Sequence, residues 1–223
     1  MTTHTAGPGT PAQPTLDGTP TTSRHPMRVV KRSGEHEEVD LAKIVTAIER
    51  CTDGLPEVDP MRVATRTIAG LYDGATTAEL DKLAIATAAE MTATEPQYSR
   101  LAGRLLAGTI DKEVRGQGIA TFSQAVRTGH EQGLIGDVTA AFVAEHASLL
   151  DDAVHRAQAA HADWRFDYFG LRTVYDRYLL RHPLTRAVIE SPQYWLMRVA
   201  AGLSRTAPEA VEFYELLSSL AYL

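Results

Sequence analysis

The sequence predicts a mainly α-helical protein that opens on one β-hairpin, and three observations carry that reading. From residue 41 onward apolar side chains recur at three- and four-residue spacing, the period of a helix with one buried face. The helical stretches begin on recognisable caps: Asp40, Asp59-Pro60, Thr76-Thr77-Ala78-Glu79 and Ser191-Pro192. Residues 27–39 instead read as strand, polar turn and returning strand.

Taken in order, residues 1–26 hold five of the 11 prolines with almost no large apolar side chain. Such a stretch cannot bury enough surface to offset its ordering entropy, and a disordered tail is expected there. Met27 to Lys31 reads as a strand, Arg32 to Glu35 as a turn and His36 to Val39 as the second strand, with His36 an exposed hairpin residue. Behind Asp40 a first helix places Leu41, Ile44, Val45, Ile48 and Cys51 on one face. The second helix buries Val63, Ile68 and Leu71, and the third buries Leu80, Leu83, Ala84, Ala88 and Met91. A fourth, from about Gln97 to Val114, turns Leu101, Leu105, Leu106 and Ile110 inward.

Gly116-Gln117-Gly118 then marks a boundary, which divides the chain into a tail (1–26), a first domain (27–116) and a second region (117–223). The second region reads as helices over about 122–133, 137–146, 147–162, 192–204 and 207–221. Trp164 to Gly170 is expected to be extended and buried. The last residues, Leu216 to Leu223, read as the middle of an apolar helix with no polar cap, as in a truncated chain.

Composition narrows the function. Of 223 residues, 44% are hydrophobic and 22% charged, which suits a globular protein. A net charge of −6 argues against a general nucleic-acid binder while permitting a local basic pocket. There is no apolar run long enough to span a membrane and no secretory signal, so a cytoplasmic location is expected. The single cysteine, Cys51, cannot close an intrachain disulfide or form a Cys-rich zinc site, and its setting suits a small packed hydrophobe; no protein-bound metal is expected.

The charges that invite a function lie in the first domain. Lys31 and Arg32 sit at the hairpin turn, and Lys43 sits in the first turn of a helix, where its charge opposes the helix dipole. That placement makes sense if an anion shares the helix N-terminus. Lys112 is late in the fourth helix and could fold back toward the same place. Glu37 and Asp81 are candidates for contacts to a base or sugar, and Thr77 for a phosphate or ribose contact. Taken singly, each also fits a solvated surface charge or an ordinary cap, and there is no Walker loop or Gly-x-Gly-x-x-Gly.

Ordered motifs add a resemblance. Val30-Lys31-Arg32-Ser33-Gly34, Glu37 and Leu41-Ala42-Lys43-Ile44, then Gly70 to Asp81 and Arg100 to Leu105, resemble the ATP-cone domain. Asp167 to Thr173, Tyr178-Leu179-Leu180, Pro192-Gln193 and Leu196-Met197-Arg198-Val199 resemble the N-terminal helical region of the ribonucleotide reductase large subunit, in detail its eukaryote-like class I form. The resemblance implies a cone of one hairpin and about four helices followed by that helical region. It implies ATP as activator and dATP as inhibitor, with Mg²⁺. Lys31, Arg32, Lys43 and Lys112 would meet the phosphates, and Glu37, Asp40, Thr77 and Asp81 would line the nucleoside side or hold the site together. Asp81 follows the eukaryote-like pattern; other members carry histidine there. The implied partners are a radical-generating small (beta) subunit and further large subunits, with no nucleic acid or membrane.

The family's reduction needs a thiyl-forming cysteine and a redox-active pair, whereas these 223 residues hold Cys51 alone. The chain by itself is therefore expected to be catalytically inactive. Two other readings are a cobalamin-dependent class II reductase and a cone-containing transcriptional repressor. The repressor family places a four-cysteine zinc ribbon before its cone, which this chain cannot form. A helical interaction module without a ligand is a third.

Overall fold

A computed structural model of the chain describes Met1, residues 27–31 and residues 34–221. The tail expected over 1–26 falls on residues outside that set, apart from Met1, and so do Arg32, Ser33, Tyr222 and Leu223.

The hairpin forms as the alternation requires. β1 (Arg28–Val30) pairs antiparallel with β2 (His36–Glu38), Val29 opposite Glu37, and Gly34 in the turn takes the φ of +85° that glycine adopts without strain. His36 is exposed, as expected. A third strand that the sequence pattern did not predict, β3 (Ala75–Thr76), adds to β1 in parallel to complete the sheet order β2-β1-β3. Val29, Leu71 and Ala75 form the small core under this sheet.

Four helices complete the first unit: α1 (Leu41–Glu49), α2 (Pro60–Ala69), α3 (Thr77–Met91) and α4 (Gln97–Arg115). Their starts are the predicted ones. The side chain of Asp40 accepts from the amides of Ala42 and Lys43, that of Asp59 accepts from the amide of Arg62, and Thr76 with Glu79 forms a reciprocal capping box. Val45, Ile48, Val63, Ala88, Met91 and Leu101 meet in the core between these helices. Leu41 does not join it; at 40% exposure it lies on the outer edge of α1. Cys51 falls just past α1 and is half-buried against the same core, where burial pushes its thiol up.

The second half follows as α5 (Phe122–Glu131), α6 (Asp137–Glu145), α7 (Ala147–Ala159), a 3₁₀ turn (Ala162–Arg165), α8 (Tyr168–Arg177), α9 (Pro192–Leu203) and α10 (Ala207–Ser218). The aromatic segment 164–170 is not extended. Asp167 caps α8 by accepting from the amide of Gly170 at 2.7 Å, a local signal that the run of large aromatics masked. Nor is the segment uniformly buried: Phe166 is 6% exposed and Phe169 66%.

α4 belongs to two cores at once. Leu101 and Ala102 pack into the core of the first unit, while Leu106, Ile110 and Val114 enter a larger one with Phe122, Leu150, Leu171 and Met197. The contact with α8 is close enough to exclude a methyl group: a Cβ on Gly103 would lie 2.9 Å from the carbonyl oxygen of Phe166. Gly108, on the exposed side of the same helix, has open space around it. Gly108→Ala is therefore expected to stabilise the fold by about 0.5–1 kcal/mol through helix propensity. Gly103→Ala should destabilise it by about 1–3 kcal/mol, because the backbone it meets cannot move aside as a side chain would. Urea denaturation of the two variants beside the parent checks both signs.

Candidate functional site: a pocket between the first, third and fourth helices

α1, α3 and α4 enclose a pocket of about 460 Å³. Its polar lining is Lys43, Thr77, Asp81 and Lys112, and its apolar wall includes Ile44, Ile48, Leu80 and Leu105. A mostly apolar hollow with a few convergent charges is the usual make-up of a small-molecule site. Helix period explains the convergence: Lys43 and Ala47 lie four apart on α1, and Thr77, Asp81 and Ala84 lie on one face of α3.

Two ion-pair groups organise the charges. Lys112 on α4 donates to the Asp81 carboxylate on α3 at 2.9 Å, joining residues 31 apart in sequence. At the mouth, Glu37 on β2 is held by two lysines, Lys31 with its Nζ 3.0 Å away and Lys43, which donates to the other carboxylate oxygen. The hydrogen bond from Lys43 and then that from Lys31 hold the Glu37 carboxyl below the ordinary carboxylate value, and Glu37 in turn raises the ammonium of Lys43.

The sequence-predicted residues thus divide by place. Lys43, Thr77, Asp81 and Lys112 line the pocket, and Lys31 and Glu37 are tied to it through Lys43. Asp40 serves as the α1 cap, accepting from the amides of Ala42 and Lys43 at 2.9 and 3.4 Å, so it fixes the turn that carries Lys43. Arg32 lies outside the described residues. Ile44, Leu80, Ala84 and Leu105, expected in the core, do pack in or against it, but they also form the pocket wall, which was not expected. The signal for them was their register with Lys43, Thr77 and Asp81 on the same helix faces.

Comparison with known proteins bears on what this arrangement is. Residues 27–113 match the model of the ATP cone domain, and residues 165–223 match that of the ribonucleotide reductase all-alpha domain. The large subunit of ribonucleoside-diphosphate reductase from Caenorhabditis elegans is 36% identical over 202 residues, which take in 85% of this chain and 24% of that protein. The chain is thus similar, over most of its own length, to large subunits of ribonucleoside-diphosphate reductase. The large subunit from Arabidopsis thaliana is 34% identical over 204 residues (86% of this chain, 24% of the relative). Large chain 2 from Saccharomyces cerevisiae is 35% identical over 204 residues (86% and 22%). The chain spans about a quarter of the length of these curated relatives. Among the described residues no helix is long and apolar enough to cross a membrane.

The Glu37 cluster sets a pH test. A carboxyl whose folded-state pKa is depressed contributes stability above its unfolded pKa and loses it as pH falls through the folded one. NMR titration of the Glu37 carboxyl should therefore give a midpoint below the ordinary glutamate value, and Lys43→Met should move it upward. An unshifted midpoint in the parent would mean that the Lys31–Glu37–Lys43 group does not persist in solution.

Proposed function

We propose that residues 27–116 are the allosteric nucleotide-binding domain of a class I ribonucleoside-diphosphate reductase large subunit, activated by ATP and inhibited by dATP. Residues 117–223 are then the N-terminal helical region of its catalytic part. The complete enzyme makes deoxyribonucleotides in the cytoplasm and works with a radical-generating small subunit and with other large subunits. The observation that supports this best is the convergence of Lys43, Thr77, Asp81 and Lys112 on one pocket inside the segment that matches the ATP cone.

The triphosphate, with Mg²⁺, lies toward the lysines. Lys31, Lys43 and Lys112, joined by Arg32, meet its oxygens, each lysine as a point charge with rotatable donors. Binding is an exchange of partners: a polyphosphate brings several anionic oxygens where Glu37 and Asp81 each bring one carboxylate. Thr77, at the start of α3, lies where the helix dipole favours an anion, and the apolar wall of Ile44, Ile48 and Leu80 suits a base. Glu37 and Asp81, once released, are acceptors for the nucleoside side, and Asp40 keeps the α1 turn in place.

ATP and dATP differ by one hydroxyl, on the order of one hydrogen bond or about 0.5–1.5 kcal/mol. Opposite regulation by so small a difference requires the two nucleotides to favour different arrangements of the domain and of the subunits it contacts.

Calorimetry of the 223-residue chain with ATP and dATP tests the site. Saturable binding is expected for both, and Lys31→Ala or Lys43→Ala should weaken it by roughly tenfold or more, the loss of one charge-assisted hydrogen bond. Unchanged affinity in both variants would place the nucleotide elsewhere. In the full-length enzyme, Asp81→Asn removes the carboxylate to which Lys112 donates and should impair dATP inhibition. Full retention of inhibition would reduce Asp81 to a helix-surface residue.

A further inference from the structure

The pocket has a second connection, on the far side of α4. Lys112 faces the pocket and Asp81, while the next residue, Glu113, points about 100° away around the same turn. The Glu113 carboxylate accepts from the backbone N–H of Val188 at 2.9 Å and from the Tyr175 hydroxyl at 3.1 Å. Gln117, one turn further, donates to the Val188 carbonyl at 2.6 Å. Two side chains, one in the last turn of α4 and one just beyond it, thus hold both backbone polar groups of a residue that is fully buried, at 0% exposure.

Val188 belongs to a stiff segment. It forms an antiparallel bridge with Arg181, and the neighbouring Ile189 N–H donates to the Leu180 carbonyl at 2.9 Å. Glu190, 3% exposed, accepts from the Leu180 N–H and from Nε and Nη2 of Arg198 on α9, each at 2.8 Å. Three polar contacts thus lie in succession, Asp81 with Lys112, Glu113 with the Val188 backbone, and Glu190 with Arg198 on α9, and the chain itself joins them, Lys112 to Glu113 within α4 and Val188 to Glu190 across Ile189. Buried carboxylates keep such partners because an unpaired charge there is costly.

We propose that Glu113 is a positioning residue that couples the pocket to the segment 180–190 and to α9. When Lys112 leaves Asp81 for a phosphate, the end of α4 shifts, and Glu113 passes that shift to Val188. This rests on the nucleotide reading of the pocket, yet Glu113 itself does not line it.

The test is amide hydrogen exchange at Val188 in the 223-residue chain, read by NMR, in the parent, Asp81→Asn, Glu113→Gln and the double variant. Glu113→Gln keeps the shape of the side chain, and so the fold, but replaces the charge-assisted hydrogen bonds from the Val188 amide and the Tyr175 hydroxyl with weaker neutral ones, which loosens the grip that the coupling needs. Saturating ATP or dATP, and separately Asp81→Asn, should each change Val188 exchange by about fivefold or more in the parent background, the lower end of allosteric coupling factors. Neither should do so when Glu113 is Gln. Unchanged exchange with calorimetry showing bound nucleotide overturns the coupling, as does an equal response in the Glu113→Gln background. If calorimetry shows no binding, the nucleotide reading falls and the Asp81→Asn arm alone decides: a response that depends on Glu113 supports the coupling, and its absence overturns it.

Discussion

α4 is the member on which both halves of the molecule depend, because one helix fills two hydrophobic cores. Its Leu101 and Ala102 close the first unit, and its Leu106, Ile110 and Val114 enter the larger core with α5 to α10. A helix buried over so much of its surface leaves little room for polar groups, and those it carries are tied down. Arg104 donates to the carbonyls of Cys51 and Asp53 at 2.8 and 2.7 Å and stacks its guanidinium over Trp164, 4.4 Å from the ring centroid. Its Nε makes no hydrogen bond, a cost accepted for a side chain that clamps the loop after α1 to the turn before α8. Gly103 lets the α8 start approach the α4 backbone. Both halves are therefore packed on this one helix.

The electrostatics of the pocket follow a different rule, that of paired but exchangeable charges. Lys43 stands in the first turn of α1, where the helix dipole disfavours a cation. Asp40 as cap and Glu37 as partner offset that. Lys112 near the end of α4 is on the favoured side of its own helix dipole and reaches across to Asp81. These pairs are partly exposed and contribute little to stability. What they do is keep the lysines gathered in one place, where the proposed nucleotide would trade a phosphate for a carboxylate.

Much of this was legible in the sequence where the physics is local. The caps at Asp40, Asp59, Thr76 and Ser191 are hydrogen bonds between residues two or three apart, and the helices they start repeat every 3.6 residues. Those contiguous signals determined the mainly helical class, the hairpin and the element order. The charged candidates were also visible, because a lysine in the first turn of a helix asks for an explanation. The aromatic run 164–170 misled, since bulk and apolarity suit a buried strand or a helix alike, and the cap at Asp167 was the sign that distinguished them.

Tertiary structure alone decided the rest. β3 is two residues long and exists because β1 offers it a partner 46 positions away, as Val29 pairs with Ala75. That Lys112 meets Asp81, that Ile44 and Leu80 wall a pocket, and that Glu113 grips Val188 are likewise contacts between distant parts of the chain. Sequence period tells which face of a helix is apolar; it does not tell which other face it meets, because that is set by how all the helices pack together.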